Sequence, residues 1–253
     1  MFKALLQLLM LGFCCCGFAA SEERLRIAIE SAYPPFGFTN GQGQLAGFNV
    51  DIARELCRRL ERECEIIAVP WKDLLPGLAA GRYEVIVASM TKTPERERAA
   101  DFTDSYYRTR SVFVGRPQST VSSVNPATVR GKVLATQDGT VYADYLRQHY
   151  QDVATLKFTD TIPDAFMALT SGAAELVLVD NLSAFEFLRS DAGQAFDIIG
   201  EPLAVDELSG VAYLQVRKGD TRLRDSLNAA LRSLWLDGTH HRINACYFPF
   251  DIY

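Results

Sequence analysis

The sequence has little of what builds a metal centre or a catalytic triad. Its three histidines are His149, which stands alone, and the adjacent pair His240 and His241, whose side chains point apart on a helix and so cannot share a metal ion. No G-x-S-x-G occurs, so a serine nucleophile lacks its usual strained turn. Neither a metal nor a cofactor is implied. Basic charge is not in excess, with 26 Lys and Arg against 31 Asp and Glu, which removes the electrostatic footprint of a nucleic-acid binder. What remains is ordinary for a globular protein: 253 residues, 48% hydrophobic and 23% charged, enough for one large domain or two small ones.

The chain opens MFKALLQLLMLGFCCCGFAA, with Lys3 ahead of an apolar run and small residues. That is the layout of a secretory signal peptide cleaved after Ala19, and it is too short for a comfortable membrane span. Its removal takes away Lys3 and no acid, leaving 25 basic and 31 acidic residues. Export to the periplasm is expected. Lipid anchoring through a leader cysteine is disfavoured, because Phe13, Cys14 and Cys15 are poor matches to the small residue such processing wants. Cys57 and Cys64 flank the end of the helix-like DIARELCRRLERECEI, and in an exported protein they can form a lasting disulfide. A loop so short gains about 2 kcal/mol from closure. Cys246 is left over and reads as a buried small hydrophobe.

Periodicity gives strand and helix in alternation: LRIAIE, FNVDIARELCRRL, CEIIAV, WKDLLPGLAAG, YEVIVAS. After SVFVGRPQ the same grammar restarts with KVLATQDGT, VYADYLRQHY, TLKFTD, DAFMALTSGAA and ELVLVD. Alternation of this kind predicts βαβ units and parallel sheet. The restart is partly literal. DLLPGLAAGRYEVIVAS and DAFMALTSGAAELVLVD share their initial Asp, Leu78 with Leu169, Gly81 with Gly172 and Glu84 with Glu175, which sets Ser89 against Asp180. Apolar helices followed by apolar strands also resemble one another generically, so chance is the competing explanation. The repeat predicts an α/β protein of two lobes: residues 20–112 with 214–253, and residues 113–213, after a leader of 1–19. Two crossings between them make a hinge.

Ligands of open α/β sheets bind at the carboxyl ends of the strands. There the first half offers Glu30, Tyr33, Trp71, Ser89, Thr91 and Arg96; the second offers Gln137, Gly139, Thr140 and Asp180. TPERER reads as a helix start, with Thr93 as N-cap and Pro94 in the first turn. Arg96 in that turn can make the two-pronged contact a carboxylate accepts. Read alone, the alternating signs of Glu95, Arg96, Glu97 and Arg98 describe a solvated face instead. Asp180 ends an apolar strand, where an unpaired carboxylate is too costly to bury; an ammonium is its natural complement. Arg96 for a carboxylate and Asp180 for an ammonium together describe a free α-amino acid. Tyr33 and Trp71 would flank an aliphatic stem or cation, or serve as ordinary core. Glu30 would meet a cationic tip, or sit as a surface acid.

The motifs IESAYPPFGF, GFNVDIARELCRRLERECE, SMTKTPERERAADFTDSYY, GKVLATQDGT, LVLVD and DGTHHRINACYFPFDIY run nearly the length of the mature chain. In them the sequence resembles the periplasmic solute-binding proteins of ATP-driven importers, of the lysine/arginine/ornithine, histidine and arginine type. The resemblance implies a hinged two-lobed fold of the type II binding-protein kind, monomeric, closing over one amino acid for delivery to membrane permease subunits of an ABC transporter, with a chemoreceptor or sensor as a further partner. It implies that Arg96 and the Thr91 and Thr140 backbone hold the α-carboxylate. The Ser89 carbonyl, Thr91 hydroxyl and Asp180 would hold the ammonium, Tyr33 and Trp71 the stem, and Glu30 the distal cation.

Three positions depart from that family pattern: Ala88 for serine, Val141 for a polar residue, and Lys92 for an aliphatic one. A Lys92 pointing into the cleft would repel a cation and favour an acidic amino acid or an opine. A second alternative is an enzyme on the same fold, akin to the cyclohexadienyl and arogenate dehydratases, with Asp180 or Glu30 as its acid.

Overall fold

Apolar residues crowd both faces of the central strands, so each sheet has to be covered twice. The structure, a computed structural model, describes residues 24–117 and 123–253. The expected leader with Cys14, Cys15 and Cys16, and part of the segment between the halves, lie outside the described residues.

In chain order, β1 (Leu25–Glu30) leads into a small sheet of β2 (Ala32–Tyr33), β3 (Gly37–Thr39) and β4 (Leu45–Ala46). Next come α1 (Phe48–Arg59), β5 (Cys64–Val69), α2 (Leu74–Ala79), β6 (Val85–Thr91), α3 (Pro94–Ala99) and β7 (Ala100–Arg108). The second run holds β8 (Ser111–Gly115), β9 (Val133–Gln137), α4 (Val141–Tyr150) and β10 (Thr155–Thr159). It continues through α5 (Ile162–Thr170), β11 (Leu176–Asp180), α6 (Asn181–Arg189) and β12 (Asp197–Leu203). The chain closes with β13 (Val211–Arg217), α7 (Thr221–Leu236) and α8 (Thr239–Tyr247).

Two five-stranded sheets result, ordered β5-β1-β6-β13-β7 and β10-β9-β11-β8-β12. The expectation of parallel sheet holds for the first three strands of each order. The remaining two pairings of each sheet are antiparallel, making both sheets mixed. The reason lies in the crossings. The chain leaves the first sheet after Arg108, enters the second at Ser111, and returns between Leu203 and Val211. Each crossing meets its new sheet at the carboxyl ends of the parallel strands, so β8 and β13 run back against them. The expected change-over points, 112/113 and 213/214, fall inside β8 and β13.

Burial follows the pleat. In β1, Ile27 and Ile29 pack with Leu56 of α1 and Leu227, Leu231 and Leu234 of α7, while Ala28 faces Leu74 and Leu78 of α2. In the second sheet, Leu176 and Leu178 pack with Leu146 and Tyr150 of α4, while Val177 and Val179 face Phe166 of α5 and Leu182 of α6.

The internal repeat is structural. Glu84 accepts the Arg26 amide at 2.9 Å and Glu175 accepts the Val133 amide at 2.7 Å, so each acid ties the strand it precedes to the start of its parallel neighbour. Gly81 and Gly172 both turn with positive φ, 71° and 76°. Cys57 and Cys64 are joined, pinning the end of α1 to the start of β5. The expectation for Cys246 fails: it is exposed. Helix α8 buries Thr239, His240 and Asn244, while Cys246 is left in solvent.

Candidate ligand-binding site

The sharp change of character after Val85–Ala88 has a local cause. Ser89 takes a left-handed backbone, φ 60°, a conformation costing a non-glycine residue roughly 1–2 kcal/mol. A closed triangle holds it there. The Ser89 amide donates to the Tyr106 hydroxyl at 3.0 Å, that hydroxyl donates to Asn49 Oδ1 at 2.8 Å, and Asn49 Nδ2 donates to Ser89 Oγ at 3.0 Å. The pairing of β6 with β13 shifts register at this point.

Two residues on from Thr91, the expected helix start is present: Thr93 Oγ1 accepts from the Arg96 amide at 3.2 Å and Pro94 occupies the first turn. The Arg96 side chain folds back toward the cleft. One guanidinium nitrogen donates to the Thr91 carbonyl at 2.9 Å and another to the Gly139 carbonyl at 3.1 Å, across the lobes. Its Cζ sits 5.3 Å from the Trp71 ring centroid, and Trp71 Nε1 donates to the same Gly139 carbonyl at 3.0 Å. Gly139, at φ 68°, makes the turn that presents this carbonyl. Burial pulls the Arg96 pKa down to about 10, against the opposing pull of Asp144 and Glu95. No ion pair joins Arg96 to a carboxylate among the described residues.

From the second sheet, Thr140 caps α4, accepting from the Ala143 amide at 3.3 Å while donating to the Gln137 carbonyl at 2.7 Å. Asp180 is 1% exposed. Its Oδ1 caps α6 through the Leu182 and Ser183 amides, at 3.0 and 2.8 Å, and its Oδ2 accepts from the Tyr33 hydroxyl at 2.7 Å. Burial still raises its pKa despite these donors. Glu30, at the end of β1, is 3% exposed. Gln137 Nε2 donates to it at 2.7 Å, and burial pushes it up to about 7 because that one bond offsets only part of the desolvation.

Tyr33, Trp71, Ser89, Thr91, Arg96 and Thr140 line one small cavity with room of about 40 Å³. Gln137, Val141, Tyr142 and Ile162 complete its wall. Glu30 lies instead in an adjoining cavity of about 310 Å³, shared with Trp71 and with Ser31, Pro70, Lys72, Asp160 and Thr161. Asp180 touches the first cavity through the Tyr33 hydroxyl. The Tyr33 ring stacks on Phe36 with centroids 4.7 Å apart.

Lys92 lines neither cavity. Its Nζ lies 4.8 Å over the Tyr213 ring and 5.7 Å over Phe102, and 3.7 Å from Glu97. It therefore packs against the first lobe instead of pointing into the cleft. Ala88 is buried in the core of that lobe. Tyr142 is a site residue that sequence reasoning missed, although an aromatic in the first turn after a glycine turn at a strand end is the available signal. Asn49 and Tyr106, which hold Ser89, sit on separate elements with no shared motif.

The family of bacterial extracellular solute-binding proteins, family 3, matches residues 25–250. The chain belongs to this family. An L-arginine-binding protein of Pseudomonas aeruginosa is 33% identical over 238 residues, covering 92% of this chain and 91% of that one. The histidine-binding periplasmic protein of Salmonella typhimurium is 31% identical, covering 93% and 92%. Among solved structures, an ancestral arginine-binding protein bound to arginine superposes with a TM-score of 0.82 at 28% identity, covering 89% of this chain and 98% of that one. The fold shared with these family members is two-lobed. No helix among the described residues is long and apolar enough to cross a membrane.

Proposed function

We propose that the protein is the solute-binding component of an ABC importer, capturing a free basic amino acid between its lobes in the periplasm and delivering it to the permease subunits. One observation carries the reading. Trp71 stands between a part-buried guanidinium, Arg96, on its ring face and a buried carboxyl, Glu30, in the cavity it shares. An amino acid with a cationic tip complements both ends at once.

In this reading Arg96 and the Thr91 and Thr140 amides receive the α-carboxylate. The Ser89 carbonyl, the Thr91 hydroxyl and Asp180 receive the α-ammonium. The stem lies along Trp71 beside Tyr33, and the distal cation meets Glu30. The relatives named for arginine and histidine support a basic ligand, whether arginine, lysine, ornithine or histidine. Binding groups come from both sheets, so ligand favours the closed arrangement by touching both lobes together. The lobe boundaries lie at residues 109–110 and 204–210. Both buried carboxyls have binding roles here, which is why we favour a binder over a dehydratase-like enzyme.

Isothermal titration of the mature protein with arginine, lysine, ornithine and histidine tests the reading. At least one should bind at micromolar Kd or tighter. Turnover of a carbocyclic acid with no amino-acid binding would replace it with the enzyme.

A further inference from the structure

The two cavities that meet at Trp71 differ sharply in room. The one holding Arg96, Ser89 and Thr91 offers about 40 Å³. The one holding Glu30 offers about 310 Å³. An amino-acid head therefore has little room to spare at the first end, whereas added bulk has more room at the second.

The chemistry of the larger cavity suits a substituted cation. Glu30 supplies a carboxyl at its inner end, with one oxygen engaged by Gln137 at 2.7 Å. Pro70 and Ala32 give apolar surface, and Ser31 and Thr161 give hydroxyls. At the mouth Lys72 and Asp160, one from each lobe, stand 3.5 Å apart and largely exposed. Their opposite charges leave no net field against an incoming cation.

We infer that the site accepts basic amino acids carrying alkyl groups on the terminal nitrogen, such as N-methylated arginines and lysines, and rejects those substituted on the α-nitrogen. The inference depends on the proposed orientation, with the amino-acid head at Arg96 and the cationic tip at Glu30. It extends that reading from a single amino acid to a class defined by where bulk is tolerated.

Titration of the mature protein with five ligands tests it: arginine, Nω-methylarginine, Nε,Nε,Nε-trimethyl-lysine, lysine and Nα-methylarginine. The ω-substituted ligands should bind within about tenfold of their parents. Nα-methylarginine should bind at least a hundredfold more weakly than arginine. The ratio of each ω-substituted ligand to its parent, and of Nα-methylarginine to arginine, carries the test. Tight arginine binding with hundredfold weaker binding of its ω-methyl form overturns the inference and leaves the proposed function intact. Absence of binding by arginine and lysine alike, with histidine and ornithine also silent, overturns the proposed function and the inference with it.

Discussion

The Tyr33 hydroxyl donates to Asp180 Oδ2 at 2.7 Å, across 147 positions of sequence and from one lobe to the other. With the α6 amides on Oδ1, this bond gives three donors to a carboxylate buried at the end of an apolar strand. Tyr33→Phe keeps the ring on Phe36 and removes the donor. Hydrogen bonds to charged groups are worth about 1.5–3 kcal/mol, so ligand affinity should fall roughly tenfold or more. Calorimetric titration of the variant measures it, and an unchanged Kd would show that the bond contributes nothing to closure.

Glu30 should make binding pH-dependent. Its pKa, raised to about 7 by burial, means the free protein holds a proton there that a cationic ligand must displace. Between the unfolded value near 4.5 and about 7, the folded state binds more protons than the unfolded one, so this group's contribution to stability falls as pH rises through that window. Affinity for a basic ligand should move the other way, weakening about 25-fold from pH 7.5 to 5.5 as the carboxyl becomes protonated. Gln137, Ser31, Lys72, Asp160 and Thr161 face Glu30 or its cavity, and of these only Lys72 and Asp160 are charged. In Glu30→Gln the dependence should flatten and the affinity should be weak throughout. A wild-type Kd that is constant across the range would remove Glu30 from the cation site.

Lys92 should be indifferent to ligand. It lies over the Tyr213 and Phe102 rings, an arrangement worth about 0.5–1 kcal/mol at a partly exposed site. Lys92→Ala should cost at most about 1 kcal/mol in denaturant unfolding and change Kd less than twofold. Tighter binding of basic ligands by the variant would place the ammonium in the cleft after all.

The Cys57–Cys64 bridge joins the end of α1 to the start of β5, at the opposite end of that strand from Trp71. Cys57→Ser with Cys64→Ser should lower unfolding free energy by about 2 kcal/mol through the released loop, with no change in Kd. Loss of binding at a temperature where the variant stays folded would contradict a purely local role.

Much of this arrangement is written in local sequence. The repeat of Glu84 and Glu175 marks equivalent strand starts, because each acid, just before its strand, accepts the amide at the start of the neighbouring parallel strand. Thr93 and Pro94 announce the helix that carries Arg96, since capping needs only neighbours in the chain. What local sequence does not disclose is how the lobes meet. The Tyr33 to Asp180 bond, the Gln137 to Glu30 bond and the Gly139 carbonyl shared by Trp71 and Arg96 all link residues from different sheets. Lys92 is ambiguous in sequence for a related reason: β6 shifts register against β13 near Ser89, so strict alternation no longer tells which side a residue faces. Cys246 defies its hydrophobicity because α8 buries polar residues, Thr239, His240 and Asn244, which reverses the usual cue.

Both ends of one ligand have to be recognised at once, and a thermal-shift comparison of arginine with agmatine and citrulline tests the two together. Agmatine lacks the carboxylate meant for Arg96; citrulline lacks the cation meant for Glu30. At ligand concentrations a hundredfold above Kd, arginine should stabilise the protein by about 2.7 kcal/mol through mass action, while both analogues give little shift and Arg96→Ala abolishes the arginine response. Stabilisation by agmatine equal to that by arginine, or an undiminished response in Arg96→Ala, would contradict recognition at both ends.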